Sequence, residues 1–154
     1  MKENFDSSFT ALIGNEGKHS NNPADPGGET MWGITKRVAE KHGYTGAMRD
    51  LPIDLAKQIA KTEYWDACGC DVLADKLDFA VFDAAYNSGV ERANAWLNES
   101  YNPPKQPTDD TSVDAQIMRF DAYRLLFLDS LPTWPNFGRG WARRIAENLL
   151  RAAS

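Results

Sequence analysis

Hydrophobic residues recur every three or four positions along most of this 154-residue chain, which is the spacing of helices with one buried face. Asp6 or Ser7 is expected to cap the first helix, and Thr35 a short helix that Gly43 closes. The stripes that predict helices are Phe5/Phe9/Leu12/Ile13, Leu51/Leu55/Ile59, Leu73/Leu77/Val81/Ala84, Val90 to Leu97, Val113/Ile117/Phe120/Phe127/Leu128 and Trp141/Ile145/Leu149. The pattern therefore predicts a mainly α-helical protein.

Residues 17–33 break the helical pattern. This segment reads GKHSNNPADPGGETMWG and holds six of the chain's nineteen glycines and prolines. Pro-Gly-Gly and Asn-Asn are typical of turns, and Glu29 to Trp32 could form a short strand. Because long irregular segments in compact domains are usually functional, we expect this excursion to contribute to a site.

A second change of composition divides the chain. Residues 101–112, YNPPKQPTDDTS, contain three prolines and no aliphatic residue, which predicts a linker or a long surface loop. We therefore expect a domain over residues 1–100, this linker, and a helical segment over residues 113–154 packed on that domain. The net charge is −5, yet residues 119–154 carry six arginines against three acids. These arginines could bind carboxylates or phosphates of a cell envelope, form a solvated helix face, or bind nucleic acid, which the overall acidity disfavours.

The composition, 42% apolar and 25% charged, is that of a globular protein. No apolar run approaches the roughly 20 residues that span a bilayer, and the start, MKENFDSS, lacks a signal-peptide core. We therefore expect synthesis in the cytoplasm, no stable membrane association and no nucleic-acid partner. Cys68 and Cys70 are expected to be reduced thiols, and His19 and His42 are too few for a metal site, so no cofactor is predicted.

Two carboxylic acids lie at positions that could support glycoside hydrolysis. Glu16 follows the first helix, and Asp25 comes nine residues later in the glycine-rich excursion. Such hydrolysis needs a proton donor on the leaving oxygen and commonly a second carboxyl group across the sugar. Trp32 or Tyr86 could supply an apolar wall that keeps the donor protonated. On spacing alone, a surface acid and a turn former remain the alternative.

The identities of the residues in these motifs are more specific than their spacing. Glu16-Gly17, Ser20 to Thr30 (SNNPADPGGET) and Trp32-Gly33-Ile34-Thr35 resemble glycoside hydrolase family 108, the lysozyme-like N-acetylmuramidases of phages and prophages. The likeness continues at Tyr64-Trp65-Asp66, Val81-Phe82-Asp83 and Tyr86-Asn87-Ser88-Gly89. After the linker, Tyr123, Phe137, Gly140-Trp141 and Arg144 resemble the peptidoglycan-binding module often joined to this family.

The resemblance implies a fold and a chemistry. It implies a lysozyme-like helical domain with a small β-hairpin over the active-site cleft and a C-terminal helical extension. Glu16 would be the general acid, Asp25 a base or electrostatic partner, and Thr30 a residue that positions water. Two positions depart from the family's pattern. Lys18 and His19 replace its usual Gly-Tyr, so the flanking aromatic contact is lost or supplied by Trp32, and Thr30 comes one position earlier than in phage lysozymes generally.

Further residues are candidates for binding substrate. They are Glu29, Trp32, Tyr64, Tyr86, Asn87, Trp141 and Arg144. Glu29 could be a second acid in the cleft or could hold the hairpin together. Tyr64 could stack on a sugar or belong to the core, Asn87 could donate to an N-acetyl carbonyl or simply end its helix, and Asp83 could be structural.

The function expected from the resemblance is that of a monomeric endolysin. It would hydrolyse the β-1,4 bond between N-acetylmuramic acid and N-acetylglucosamine in peptidoglycan glycan strands, after release from the cytoplasm through a holin pore. Two alternatives remain open. A lytic transglycosylase would use the same glutamate without adding water, and a non-catalytic phage protein would bind peptidoglycan without cleaving it.

Overall fold

The computed structural model describes residues 2–14, 19–21, 28–102 and 110–154. Within these residues the fold is mainly α-helical, as predicted, with seven α-helices and one two-stranded antiparallel hairpin. The helices are α1 (Phe5–Ile13), α2 (Lys36–Lys41), α3 (Ile53–Ala60), α4 (Leu77–Ser88), α5 (Val90–Tyr101), α6 (Val113–Asp129) and α7 (Trp134–Ala152). The strands are β1 (Thr30–Met31) and β2 (Ile34–Thr35), and a π-helical turn, Lys61–Asp66, continues α3.

The start of α1 differs from the prediction. The helix begins at Phe5 after Asn4, so neither Asp6 nor Ser7 caps it. The Asn4 amide nitrogen donates instead to Asp75 at 2.8 Å and to Asp78 at 2.9 Å, 71 and 74 residues away. A tertiary contact therefore fixes this helix start. The cap predicted for α2 is confirmed, because the Thr35 hydroxyl accepts from the amide of Val38 at 3.3 Å.

Helix α4 lies at the centre of the fold. Residues 77–85, which make up most of the helix, are all buried. A helix buried on every side carries only a weak amphipathic pattern, so the predicted stripe covers only part of its buried surface. Leu73, expected to belong to this helix, precedes it, because Lys76 adopts a positive φ of 71° and separates the two.

Aromatic side chains tie α4 to the N-terminal half of the fold. The rings of Phe5, Trp65 and Phe82 meet edge to face, with centroids 5.4 to 5.8 Å apart. Edge-to-face contacts suit the charge distribution of aromatic rings, so they add to the free energy gained by burying these side chains. This cluster holds α1, the π-helical turn and α4 together.

Helices α6 and α7 pack directly on this body. Helix α6 lies against α4, α5 and α7, and its side chains Ile117 and Phe120 are fully buried in the same core as α4. Pro135 falls in the first turn of α7, where proline is tolerated. The division into residues 1–100, 101–112 and 113–154 stays a prediction, and residues 103–109 of its linker lie outside the described part. None of the described helices is both long and apolar enough to cross a membrane.

Candidate active site

A groove of about 740 Å³ opens between four parts of the fold. The end of α1, the hairpin turn, the end of α4 and one face of α7 form its walls. The lining residues are Ala11, Leu12, Ile13, Gly14, Trp32, Gly33, Tyr86, Asn87, Phe137, Gly140, Trp141, Arg143, Arg144 and Glu147. Its volume is in the range of small-molecule sites, and it combines aromatic with charged side chains.

The hairpin turn presents Trp32 to this groove in an uncommon backbone conformation. Met31 pairs with Ile34, so the turn consists of Trp32 and Gly33, with φ values of 56° and 80°. Two-residue hairpin turns favour such angles, but a tryptophan rarely adopts them. Two hydrogen bonds hold it there: its indole Nε1 donates to the Leu51 carbonyl at 2.9 Å, and its own carbonyl accepts from the Tyr86 hydroxyl at 2.7 Å. Strained residues held in this way are common at functional sites.

Close packing requires glycine at the second turn position. A Cβ atom on Gly33 would lie 2.5 Å from Cε1 of Tyr86, whereas one on Gly43, which has nearly the same φ, would meet nothing within 4 Å. We expect Gly33→Ala to lower the free energy of unfolding by about 1–3 kcal/mol more than Gly43→Ala, because only the former adds overpacking to the backbone strain. Urea denaturation of the two variants measures the difference, and equal losses would contradict this account.

Tyr86 and Tyr64 form an aromatic wall behind the hairpin turn. Their ring centroids are 4.8 Å apart, and burial raises the pKa of both phenols above the ordinary value of 10. Both phenols are therefore neutral near pH 7. The Tyr86 hydroxyl is a donor to the Trp32 carbonyl, so it supports the turn as well as lining the groove.

Asp83 is the centre of a buried polar network beneath the groove. Its carboxylate, 3% exposed, accepts from Arg124 at 2.7 Å, Arg144 at 3.0 Å and Asn148 at 2.9 Å, and the Asn87 amide lies 3.3 Å away. These partners come from α4, α6 and α7. Asp83 therefore fixes Arg144 of the groove wall relative to α4, which makes it a structural residue, as the sequence allowed.

A second buried carboxyl group, Asp121, lies beside this network. It is 1% exposed, neither of its oxygens has a hydrogen-bond partner, and Oδ1 is 3.9 Å from the nearest guanidinium nitrogen of Arg124. Burial raises the pKa of Asp121 from 3.8 to about 7; the Arg124 charge lowers it by less, and Asp83 adds to the rise. Because the folded pKa exceeds the unfolded one, this group makes folding less favourable as the pH rises from about 4 to about 7.

An Asp121→Asn variant isolates this effect, since the amide resembles the neutral acid in size. We expect it to be more stable than the parent protein above pH 7, by on the order of 2 kcal/mol, with the difference shrinking towards pH 4. Urea denaturation across this pH range measures the difference. Asp129→Asn, at an exposed position of the same helix, is the control and is expected to show little change. A difference for Asp121→Asn that stays constant with pH would contradict the assignment.

The structure brings five of the predicted binding residues together. Trp32, Tyr86, Asn87, Trp141 and Arg144 all line the groove, although they are spread over 113 positions of the chain. The Asn87 amide nitrogen donates to the Asp83 backbone carbonyl at 2.7 Å, one turn earlier in α4. Trp141 packs against the ring of Phe137, with centroids 5.7 Å apart.

Other predicted residues lie away from the lining of this groove. Tyr64 contacts Tyr86 from the π-helical turn. Glu29 forms a 2.7 Å contact with Nε2 of His19, and the Thr30 backbone pairs with Ser20 as well as within the hairpin. These contacts join the two ends of the excursion.

Glu16 and Asp25, the predicted catalytic acids, lie outside the described residues, as does Lys18. Three groove residues with aromatic or charged side chains had no place among the predicted site residues: Phe137, Arg143 and Glu147. Phe137, Trp141 and Arg144 are spaced four and three residues apart, so they share one face of α7. The sequence shows this shared face, but it does not show which part of the fold the face packs against.

The described residues contain no cluster of three or more His, Cys, Asp or Glu side chains arranged to hold a metal ion. Cys68 and Cys70 are buried and are not joined in a disulfide. Burial raises the pKa of the Cys68 thiol to about 11, and that of Cys70 also rises, so both are neutral thiols near pH 7. Buried neutral thiols are poor nucleophiles, so we interpret these two cysteines as core residues.

Comparisons with known proteins agree with this geometry. The sequence profile described as glycosyl hydrolase 108 matches residues 9–89, more than half of the chain. The structure of SagA from Brucella abortus superposes with a TM-score of 0.87 at 26% identity, covering 99% of this chain and 95% of that one. No curated protein matches this sequence. The chain therefore belongs to the glycosyl hydrolase 108 family and has a lysozyme-like, mainly α-helical fold.

Proposed function

We propose that this glycoside hydrolase is an N-acetylmuramidase, which hydrolyses the β-1,4 bond between N-acetylmuramic acid and N-acetylglucosamine in peptidoglycan. Family membership and the lysozyme-like fold support a peptidoglycan hydrolase at the coarser level. The finer assignment rests on the groove. Its aromatic side chains, Trp32, Tyr86, Phe137 and Trp141, suit the apolar faces of sugar rings, and its arginines suit an acidic polymer.

The end of α1 at the groove wall carries the proposal. Gly14 lines the groove, and Glu16 follows two residues later in the chain. Two residues of extended backbone span at most about 7 Å, so the connection limits how far the Glu16 Cα can lie from that wall. We propose Glu16 as the general acid that protonates the glycosidic oxygen. Trp32 and Tyr86 supply an apolar wall of the kind that keeps a carboxylic acid protonated near neutral pH.

Asp25 is the proposed second carboxyl group, either as a base for the attacking water or as a stabiliser of the positive charge on the sugar. Glu29 is less suited to this role, since its carboxylate contacts His19 and it is absent from the groove lining. Thr30 is proposed to position a water molecule. In each case the proton given up by Glu16 is recovered from water, so one water is consumed for each bond that is cleaved.

The products of digestion test this assignment. Purified sacculi are treated with the protein, reduced with borohydride and analysed by mass spectrometry. A muramidase leaves N-acetylmuramic acid as the new reducing end, which borohydride converts to its alditol. A lytic transglycosylase leaves a 1,6-anhydro end that is lighter by one water and resists reduction, and new N-acetylglucosamine ends would assign a different bond. Either of the last two results would contradict the proposal.

We further propose that the protein is an endolysin that acts after release through a holin pore. The resemblance of its motifs to the phage and prophage enzymes of this family supports this role. Expression in Gram-negative cells tests this: lysis is expected only when a holin is co-expressed. Lysis at the same rate without a holin would contradict the release route while leaving the enzyme assignment intact.

A further inference from the structure

Helix α7 forms one whole wall of the groove, although it lies beyond the residues that match the family profile. The profile ends at residue 89, whereas α7 begins at Trp134. Six residues of this helix line the groove: Phe137, Gly140, Trp141, Arg143, Arg144 and Glu147. The C-terminal segment therefore completes the groove itself, in contrast to a wall-binding module that acts at a distance from the cleft.

The groove face of α7 changes character along its length. Phe137 and Trp141 make its first turns aromatic, and their rings are in contact. Arg143, Arg144 and Glu147 make the following turns charged. A ligand lying along this wall would therefore meet an apolar surface at one end and a guanidinium pair at the other.

The two neighbouring arginines differ in how they are held. Arg144 donates to the buried Asp83 carboxylate at 3.0 Å and is 39% exposed, so its charge already has a partner within the fold. Arg143 is exposed, and among the described residues it has no ion-pair or hydrogen-bond partner. Its guanidinium is therefore available to an anion in the groove.

The free carboxylates of peptidoglycan are found on its peptide stems. In the intact polymer the lactyl carboxyl of muramic acid is consumed in the amide bond to the peptide stem, so the free carboxylates belong to the stems. Arginine binds carboxylates through paired N–H donors, a geometry that a neutral sugar does not match. We infer that Arg143 binds a stem carboxylate and makes the groove selective for glycan that carries acidic peptide stems, an inference that rests on the proposed function.

Binding of a small ligand tests this inference without turnover. The ligand is the disaccharide N-acetylglucosamine–N-acetylmuramic acid with its peptide stem, either with free stem carboxylates or with the same carboxylates amidated. We expect the parent protein to bind the free-acid form about fivefold more tightly, the upper end for an exposed ion pair, and less so at high salt. Arg143→Gln should abolish this preference. Calorimetric titration measures the dissociation constants.

Arg139→Gln is the matched control, because Arg139 is exposed on the same helix but does not line the groove. It should keep the preference, and thermal unfolding should show both variants folded like the parent. An unchanged preference in Arg143→Gln, or none in the parent protein, would overturn the inference. If the parent binds with this preference but does not cleave sacculi, the proposed hydrolysis fails, while the binding of stem carboxylates by Arg143 is still supported.

Discussion

Replacing Glu16 by glutamine is expected to lower the rate of peptidoglycan cleavage by about 10²–10⁴-fold. The amide keeps nearly the shape of the side chain but cannot give a proton to the leaving oxygen. Because binding through the groove walls is unaffected, the variant should still bind sacculi. The loss should appear in kcat and not in the affinity for the polymer. The measurement is the fall in turbidity of outer-membrane-permeabilised Gram-negative cells.

Glu29→Gln is the control for this experiment, since Glu29 follows Glu16 by 13 positions in the chain and its carboxylate contacts His19 outside the groove lining. It should clear the cells at a rate close to that of the parent protein. Clearing by Glu16→Gln at the parent rate would show that Glu16 is not the acid. A lost rate in Glu29→Gln alone would transfer that role to Glu29.

Replacing Asp83 by alanine is expected to cause a large loss of stability, about 3–5 kcal/mol in the free energy of unfolding. The substitution removes the carboxylate that faces Arg124 at 2.7 Å and leaves that guanidinium, 2% exposed, in the core. Asp121 lies 3.9 Å from the same nitrogen and can partly compensate by ionising, so the loss should fall towards the lower end of this range. Urea denaturation measures it.

Asp83→Ala should also weaken cleavage even where the variant is still folded. Arg144 loses the partner that holds it against α4, so the α7 wall of the groove is less firmly positioned. The control is Asp129→Asn, at an exposed position of α6, where we expect a change within about 0.5 kcal/mol. A similarly small change for Asp83→Ala would show that the network contributes little to stability.

Periodicity predicted most of the helices because their apolar faces are narrow and regular. Helix α7 follows an evenly spaced stripe in the sequence, and the cap of α2 could be predicted because Thr35 bonds to a residue three positions away. The start of α1 could not, since it depends on Asn4 reaching Asp75 and Asp78 far along the chain. Local pattern fails where distant contacts decide the boundary.

The sequence also predicted some residues of the site and not others. The motif resemblance picked out Trp32, Tyr86, Asn87, Trp141 and Arg144, which the fold gathers around one groove. It did not decide whether Asp83 is structural, because the side chains that bind its carboxylate lie 41, 61 and 65 residues away. Arg143 was only one of several C-terminal arginines until the packing of α7 showed which of them lines the groove.

The central claim is that this groove binds peptidoglycan and that the protein cleaves it there by hydrolysis. Its most direct test is the release of new reducing ends from purified sacculi, with binding of the protein to the same sacculi measured in parallel by sedimentation. We predict that the parent protein both binds and releases reducing ends, and that Glu16→Gln binds without releasing them. A folded parent protein that binds sacculi but releases no reducing ends would contradict the claim.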